Sequence, residues 1–221
     1  MRSIPILAFS FVLPFGALRA QTCNANLALP PAPASYTVAP PGVTCPNATG
    51  TDDCTGSPAV GTLCSDGTIY VGTSPDGGGK MFTTRCDAGM SWNGSACAPV
   101  LGVQPAFFWG TYGTTTNISS TVTGKANSAA LASTYTNARA AQFCEKLVAN
   151  GHDDWYLPAE DELAKISIAR ASGRVSGTVD ITGVNYWSSS EVNTNNTWVQ
   201  RFSDGSQGNY YKGYALYVRC V

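Results

Sequence analysis

The feature that most constrains the fold is a set of eight cysteines, all of which follow an apolar N-terminal segment. This segment has a basic residue at Arg2, an apolar run over 4–18, and small residues where the run ends. Such a pattern is typical of a cleaved secretory signal, which we assign to residues 1–20. Because Pro5 and Pro14 interrupt a run that is already short, we do not expect it to span a membrane.

An even number of cysteines after a secretory signal indicates disulfide bonds. Zinc sites usually contain close pairs separated by about two to four residues, whereas the tightest spacing here is that of Cys45 and Cys54. We therefore expect a disulfide-stabilised protein that is secreted or exposed at the cell surface. The periplasm is the alternative compartment.

The charge balance excludes one broad class of partner. Charged residues make up 12% of the chain, and its formal net charge is −1. Removal of Arg2 and Arg19 with the signal takes the net charge of the mature chain to about −3. Because a nucleic-acid-binding protein needs clustered cations, and none are clustered here, we predict no nucleic-acid partner.

Composition and turn signals predict three regions after the signal. Residues 21–62 are rich in proline and cysteine and predict an extended segment. Residues 63–99 predict a small disulfide-stabilised β module, since two β-rich runs surround a Pro-Asp-Gly turn. Residues 100–221 are long enough to form an independent domain.

The pattern within 100–221 predicts an α+β domain with two helices followed by antiparallel strands. A loop extends through Asn127, and the first helix begins at Thr136, with Cys144 on its buried face. The second helix begins at Pro158, and Trp155-Tyr156-Leu157 forms a short strand or link before it. Strands are expected near 186–190, 197–203, 206–211 and 214–220, with a hairpin turn at Asp204-Gly205.

Several ordered motifs of this region resemble a known bacterial family. They are Ala140-Ala141-Gln142-Phe143-Cys144, Asn150-Gly151-His152-Asp153-Asp154-Trp155-Tyr156-Leu157-Pro158, Tyr186-Trp187-Ser188-Ser189-Ser190-Glu191, Phe202-Ser203-Asp204-Gly205 and Tyr217-Val218-Arg219-Cys220-Val221. Together they resemble the DUF1566 family, also called the C-terminal domain of the Legionella collagen-like adhesin. The resemblance implies a C-type-lectin-like fold in which a disulfide joins Cys144 to Cys220.

The strongest candidate binding region lies near the end of the chain, where aromatic and amide side chains are concentrated. Tyrosine and tryptophan supply rigid contact area, and Asn and Gln supply adaptable hydrogen bonds. The candidate ligand-binding residues are Asn193, Asn195, Asn196, Trp198, Gln200, Arg201, Asp204, Gln207, Asn209, Tyr210, Tyr211 and Lys212. The alternative is that Trp198 and Phe202 fill the core while the polar residues are merely solvated.

Catalysis and metal binding have weaker support. The single histidine, His152, follows a helix-ending glycine, and no nucleophile motif accompanies it. The acidic residues 160–162 are explained by their place in the first turn of a helix. Carboxylates elsewhere do not form a calcium-binding motif. We predict no enzymatic activity, no required metal and no cofactor.

The resulting hypothesis is a bacterial adhesin-like protein that binds a glycan or a surface protein through its C-terminal face and that can form homo-oligomers. The rival hypothesis is a structural subunit, or receptor-binding component, of an extracellular filament or phage-like appendage. In that case the aromatic and amide face would contact neighbouring subunits.

Overall fold

The computed structural model describes residues 53–174 and 185–221. The predicted signal and the first two cysteines, Cys23 and Cys45, lie outside the described residues. Nine strands and three helices are present in the described part: β1 (Ile69–Thr73), β2 (Lys80–Thr83), β3 (Met90–Trp92), β4 (Cys97–Pro99), β5 (Phe107–Phe108), α1 (Gly124–Thr134), α2 (Arg139–Glu145), α3 (Glu160–Ala171), β6 (Asn185–Glu191), β7 (Asn196–Arg201), β8 (Gln207–Tyr211) and β9 (Ala215–Leu216). Within these ranges, no helix has the length and apolarity needed to cross a bilayer.

The predicted hairpin in 63–99 is confirmed. Strands β1 and β2 pair antiparallel, and a bulge lies between Tyr70 and Gly72. Two short-range disulfides, Cys54–Cys64 and Cys86–Cys97, hold the chain on either side of the hairpin. A second small hairpin, β3–β4, lies between Cys86 and the start of the C-terminal region.

The β1–β2 hairpin does not bury its apolar face alone. Ile69, Val71 and Met81 share a core cluster with Leu163 and Ile166 of α3. This packing follows from size, because a unit of so few residues cannot remove enough apolar surface from water by itself. The hairpin is therefore docked on the C-terminal region through a common core.

A buried ion pair adds a polar link between the same two regions. The Arg219 guanidinium donates through Nε to Asp87 Oδ1 at 3.0 Å and through Nη1 to the Thr84 carbonyl at 2.7 Å. Tyr186 donates its hydroxyl to the other Asp87 oxygen at 2.6 Å. Arg219 and Asp87 are almost fully buried, so the carboxylate has the internal donors that a buried charge requires.

The larger core surrounds the disulfide that the family resemblance implies. Cys144 of α2 is bonded to Cys220, with 5.5 Å between their Cα atoms, and both residues are buried. Trp155 and Trp187 belong to the same cluster. The predicted Cys144–Cys220 pairing and the burial of the helix face that carries Cys144 are confirmed.

Helix α1 was not predicted, because its sequence carries no apolar stripe. Its buried positions are Gly124, Asn127, Ser128 and Leu131, which follow the helical period with mostly small or polar side chains. Two of them have specific internal partners: Asn127 donates its Nδ2 to the Ser120 carbonyl, and Ser128 Oγ accepts from the Leu157 N–H. Specific hydrogen bonds, one of them to the distant Leu157, rather than hydrophobic periodicity, position this face.

The other helices are shorter than predicted. Helix α2 begins at Arg139 rather than at Thr136, and α3 begins at Glu160, two residues after Pro158. The segment Trp155–Leu157 is a link without regular secondary structure.

The main sheet has the order β6-β7-β8 and is antiparallel throughout. The predicted strand over 214–220 is reduced to β9, which pairs with β5. Beyond β9 the backbone bonds to several different neighbours: Val218 accepts from Ala88, and Val221 exchanges two hydrogen bonds with Tyr156. Apart from a parallel bridge between Tyr217 and Tyr186 of β6, the chain end closes the core and does not extend the sheet. The described fold is α+β.

Candidate functional site

Strands β7 and β8 bring the predicted binding residues together on one hairpin. The register places Asn196 opposite Tyr211 and Trp198 opposite Asn209. Directly opposed side chains point to the same face of a sheet. Asn196 and Trp198 are half-buried, whereas Asn209 and Tyr211 are exposed. This hairpin face therefore carries both amide and aromatic groups.

The twelve candidates differ in exposure. Seven are exposed (Asn193, Arg201, Asp204, Gln207, Asn209, Tyr210 and Tyr211), three are half-buried (Asn195, Asn196 and Trp198), and two are buried (Gln200 and Lys212). Gln200 and Lys212 lie in the protein interior and not on the exposed surface of the hairpin.

Gln200 forms internal hydrogen bonds that connect the β7–β8 hairpin to α3. Its Nε2 lies 3.2 Å from Ser167 Oγ on α3 and donates to the carbonyls of Arg201 and Ser206 at 3.1 Å. Only 1% of the residue is exposed. Because it lies between α3 and the β7–β8 turn, Gln200 does not reach the surface at which a ligand would bind.

Two of the exposed candidates shape the turns at either end of β7. Asn193 Oδ1 accepts from the N–H groups of Asn195 and Asn196 at 2.9 Å. Asp204 Oδ1 accepts from the backbone N–H of Ser206 at 3.0 Å and from its hydroxyl at 2.8 Å. These bonds from Ser206 lower the pKa of the Asp204 carboxyl. Both side chains thus have a turn-forming role.

The most exposed aromatic group is a cluster of tyrosines at the end of the hairpin. Tyr210 and Tyr214 meet edge to face with 5.2 Å between their ring centres, and Tyr211 stacks on Tyr214 at 6.2 Å. Tyr112 contacts Tyr211 at 5.7 Å. Between 37% and 56% of each residue is exposed. We call Tyr112, Tyr210, Tyr211 and Tyr214 the tyrosine patch.

Sequence reasoning missed two members of this patch. Tyr214 is separated from Tyr211 by Lys212 and Gly213, so its nearness in sequence was an available signal. Tyr112 is almost a hundred residues earlier, in a Thr- and Gly-rich loop, and no local pattern links it to β8. Only the tertiary fold brings it to the patch.

A buried ion pair holds the Tyr112 loop against the end of β8. Lys212 and Glu191 are in direct contact, and both are almost fully buried. The Lys212 ammonium also donates to the Thr114 carbonyl at 2.7 Å. Glu191 accepts from the backbone N–H groups of Thr116 and Asn117 at 2.8 Å. The pair therefore ties together β6, the end of β8 and the loop that carries Tyr112.

The electrostatics of this pair favour the ionised form of Glu191. Burial alone would raise the pKa of its carboxyl. The hydrogen bonds from Lys212, Thr116 and Asn117 outweigh burial and hold the pKa below its ordinary value. The tyrosine patch is consequently built on a charged but fully bonded support.

Trp187, Trp155 and Ser190, which carry parts of the family motif, have internal hydrogen-bond partners. Trp187 is fully buried and donates its indole N–H to the Phe107 carbonyl at 2.7 Å. Trp155 donates to the His152 carbonyl at 3.1 Å, and the Ser190 hydroxyl donates to the Ser120 carbonyl at 2.8 Å. Their contacts are those of packing and loop support.

The remaining candidates for chemistry lie apart from the patch in sequence and bond elsewhere. His152 Nε2 lies 2.9 Å from Asp66 Oδ2, and Glu162 bonds inside the first turn of α3. In 53–174 and 185–221, no group of three or more His, Cys, Asp or Glu residues is arranged to hold a metal ion.

Comparison with known proteins identifies a family for the C-terminal part of the chain. The model of the Lcl C-terminal domain matches residues 88–221, which is more than half of the chain. No curated protein matches the sequence.

Proposed function

The chain belongs to the Lcl C-terminal domain family, and we propose that it is an adhesin-like protein that binds a glycan through the tyrosine patch and the adjoining β7–β8 face. Its three described disulfides support an extracellular or cell-surface location. A C-type-lectin-like architecture remains a prediction, with which the α+β fold and the Cys144–Cys220 bond are compatible. The observation that carries the glycan proposal is the exposure of four tyrosine rings, each of which contacts at least one other.

Packed tyrosines suit recognition because little conformational freedom remains to be lost on binding. Each tyrosine has two side-chain torsions, and its ring supplies apolar area while its hydroxyl forms hydrogen bonds. The neighbouring Asn209 is exposed and opposes Trp198 across the hairpin. Aromatic faces with amides beside them match the apolar faces and hydroxyl edges of sugar rings.

The charges near the patch favour an uncharged ligand. Lys212, which follows Tyr211 in sequence, is buried against Glu191 and cannot reach a bound anion. Arg201 lies 3.5 Å from Asp204 on the exposed hairpin. Because a sulfated or phosphorylated glycan needs accessible cations, we propose a neutral glycan as the ligand.

One observation supports the rival function of a structural subunit. Strand β8 is at the edge of the three-stranded sheet and is mostly exposed. Edge strands can pair with another chain. In that case the tyrosine patch would be buried between subunits.

A glycan-array screen of the mature protein, with and without EDTA, tests the proposal. The informative variant is Tyr211→Ala with Tyr214→Ala, since both side chains are exposed and packed on each other. The matched control is Ile168→Ala, which removes another exposed apolar side chain, on α3. We expect binding to a neutral glycan that EDTA does not change, a loss of at least tenfold in the tyrosine variant, and no loss in the control.

One combination of results would contradict the glycan proposal. Absence of glycan binding, together with ordered oligomers by size-exclusion chromatography and electron microscopy, would replace the proposal with the structural-subunit hypothesis. Oligomers that the tyrosine variant abolishes would place the subunit contact at the patch.

A further inference from the structure

A pocket lies between the β1–β2 hairpin and the segment that follows α2. Its volume is about 370 Å³, which lies in the range of small-molecule sites, roughly 300–1,000 Å³. The hairpin side includes Asp66 and Phe82, and the other side includes Asp154, Trp155 and Tyr156. The lining shares no residue with the tyrosine patch.

The carboxylates of this pocket give it negative charge. Asp53, Asp66 and Asp154 line it, and Lys80 is the cation beside them. The Lys80 ammonium donates to the carbonyls of Cys54 and Thr55 at 2.8 and 2.6 Å. These bonds tie β2 to the segment that carries Cys54. His152 also lines the pocket, but three carboxylates against one lysine attract a cation and disfavour an anion.

The carboxylates are positioned by bonds that leave acceptor capacity available. Asp66 Oδ1 accepts from the backbone N–H and the hydroxyl of Thr68 at 2.8 Å, while Oδ2 lies 2.9 Å from His152 Nε2. Asp154 has a 3.7 Å contact with Lys125 at the exposed surface. Since a carboxylate has about four lone-pair sites, both can accept a further hydrogen bond.

Aromatic rings form the other part of the lining. Trp155 is 4% exposed, and its indole N–H is already donated to the carbonyls of Ala149 and His152. Phe82 packs on Tyr70 with 5.5 Å between ring centres. A cation near the face of an aromatic ring is attracted by the ring quadrupole, and the effect grows when water is excluded.

We propose that this junction pocket binds the ammonium group of an organic amine, with Asp66 and Asp154 as the charged partners. An ammonium group donates up to three hydrogen bonds and contacts aromatic faces through its methylene neighbours. Two sources present the same chemistry: a free polyamine, or an amino-sugar unit of a deacetylated polysaccharide. The site is independent of the neutral-glycan site.

Isothermal titration calorimetry of the full mature chain at low ionic strength tests the proposal. The probes are spermidine, a glucosamine tetramer, and the N-acetylated tetramer as the uncharged comparison. We expect at least one of the two amines to bind and the N-acetylated tetramer not to bind in this pocket. Spermidine alone points to a free amine, whereas the glucosamine tetramer alone points to a polysaccharide source.

Matched variants separate a specific pocket from general surface charge. Asp154→Asn removes one carboxylate from the lining, and Asp153→Asn removes the same charge from the adjacent exposed residue that does not line it. We expect Asp154→Asn to weaken amine binding at least fivefold and Asp153→Asn to change it less than twofold. Asp66→Asn should weaken it further, and its folding is checked by circular dichroism.

Two results would overturn the proposal. One is the absence of heat with both amines; the other is an equal loss in Asp153→Asn and Asp154→Asn, which would indicate attraction to the surface as a whole. The Tyr211→Ala and Tyr214→Ala variant should bind the amine normally. Its behaviour therefore distinguishes failure of this site from failure of the neutral-glycan proposal.

Discussion

Two buried carboxylates, Glu191 and Glu162, support two different regions by different means. Glu191 lies beneath the tyrosine patch and is in contact with the Lys212 ammonium. Glu162 lies where α3, α1 and the β1–β2 hairpin meet, and it accepts hydrogen bonds from neutral groups: the hydroxyls of Ser74 and Tyr156 and the Ala159 N–H, at 2.7 to 2.9 Å. Both residues are at most 4% exposed.

The difference in partners reverses the direction in which the pKa moves. Burial raises the pKa of Glu162, and its neutral donors only partly offset this effect. Burial would also raise the pKa of Glu191, but bonds from Lys212 and two backbone amides lower it overall. Beneath the tyrosine patch, the charge of Glu191 is compensated by Lys212. Where α3 and α1 meet the β1–β2 hairpin, Glu162 has only neutral donors among the described residues, so its carboxyl is costly to ionise.

The largest effect is expected from breaking the compensated pair. Lys212→Met removes the cation and leaves a buried Glu191, which should lower the free energy of unfolding by about 3 to 5 kcal/mol. Urea denaturation at neutral pH with the disulfides intact measures this loss.

The control is Lys212→Met combined with Glu191→Gln, which removes both charges. Because a neutral pair leaves no uncompensated charge, the double variant should recover a large part of the loss. A single variant that costs less than about 1 kcal/mol would show that Glu191 reaches water and that the pair is not a buried support.

The elements that could be predicted from the sequence are those that have local signals. The β1–β2 hairpin, helix α3 and the buried face of α2 follow from local signals: a Pro-Asp-Gly turn, acids in a first helical turn, and apolar residues at helical spacing. Helix α1 lacks such a signal, since its inner face is built from Gly124, Asn127, Ser128 and Leu131. Its position depends on partners distant in sequence.

The candidate site shows the same division. The Asn- and Tyr-rich hairpin was predicted from composition and turn signals, and its register brings Asn196, Trp198, Asn209 and Tyr211 to one face. The burial of Gln200 and Lys212 could not be predicted, because it depends on their contacts with Ser167 and Glu191, which are distant in sequence. Tyr112 joins the patch for a similar reason, since the ion pair positions its loop.

The second-largest effect is expected where the backbone approaches the Glu162 junction. A Cβ at Gly124 would lie 1.9 Å from Glu162 Oε2 and 2.6 Å from the Ala159 nitrogen. Gly124→Ala should therefore lower the free energy of unfolding by about 1 to 3 kcal/mol, although alanine is the better helix former by up to about 1 kcal/mol. Thermal and urea unfolding measure the change, and a stabilised variant would contradict this close packing.

The opposite directions of the two pKa changes predict opposite pH effects in two neutral variants. The folded pKa of Glu162 is raised, so its contribution to stability falls as pH rises from about 4.5, its ordinary range, through the folded value. The folded pKa of Glu191 is lowered, so its contribution is complete above that range and is lost as pH falls. A folded pKa that differs by one from the unfolded pKa changes the unfolding free energy by about 1.4 kcal/mol.

Unfolding measured from about pH 3 to about pH 8 compares the parent protein with Glu162→Gln and Glu191→Gln. The difference in unfolding free energy between the parent and Glu162→Gln should decrease as pH rises. The difference between the parent and Glu191→Gln should increase with pH on the acidic side and then level off. If both differences changed with pH in the same direction, the environments of Glu162 and Glu191 would not shift the two pKa values in opposite directions.

The smallest effect is expected in the exposed hairpin itself, where the backbone is open. A Cβ at Gly208 in β8 would meet no atom within 4 Å. Gly208→Ala should therefore leave stability within about 0.5 kcal/mol or raise it by up to about 1 kcal/mol, because alanine restricts the unfolded chain. Urea unfolding of Gly208→Ala and Gly124→Ala under the same conditions compares the two positions directly. If Gly208→Ala lost as much unfolding free energy as Gly124→Ala, another part of the protein would have to cover β8. The edge strand would then be a contact surface and not an exposed face.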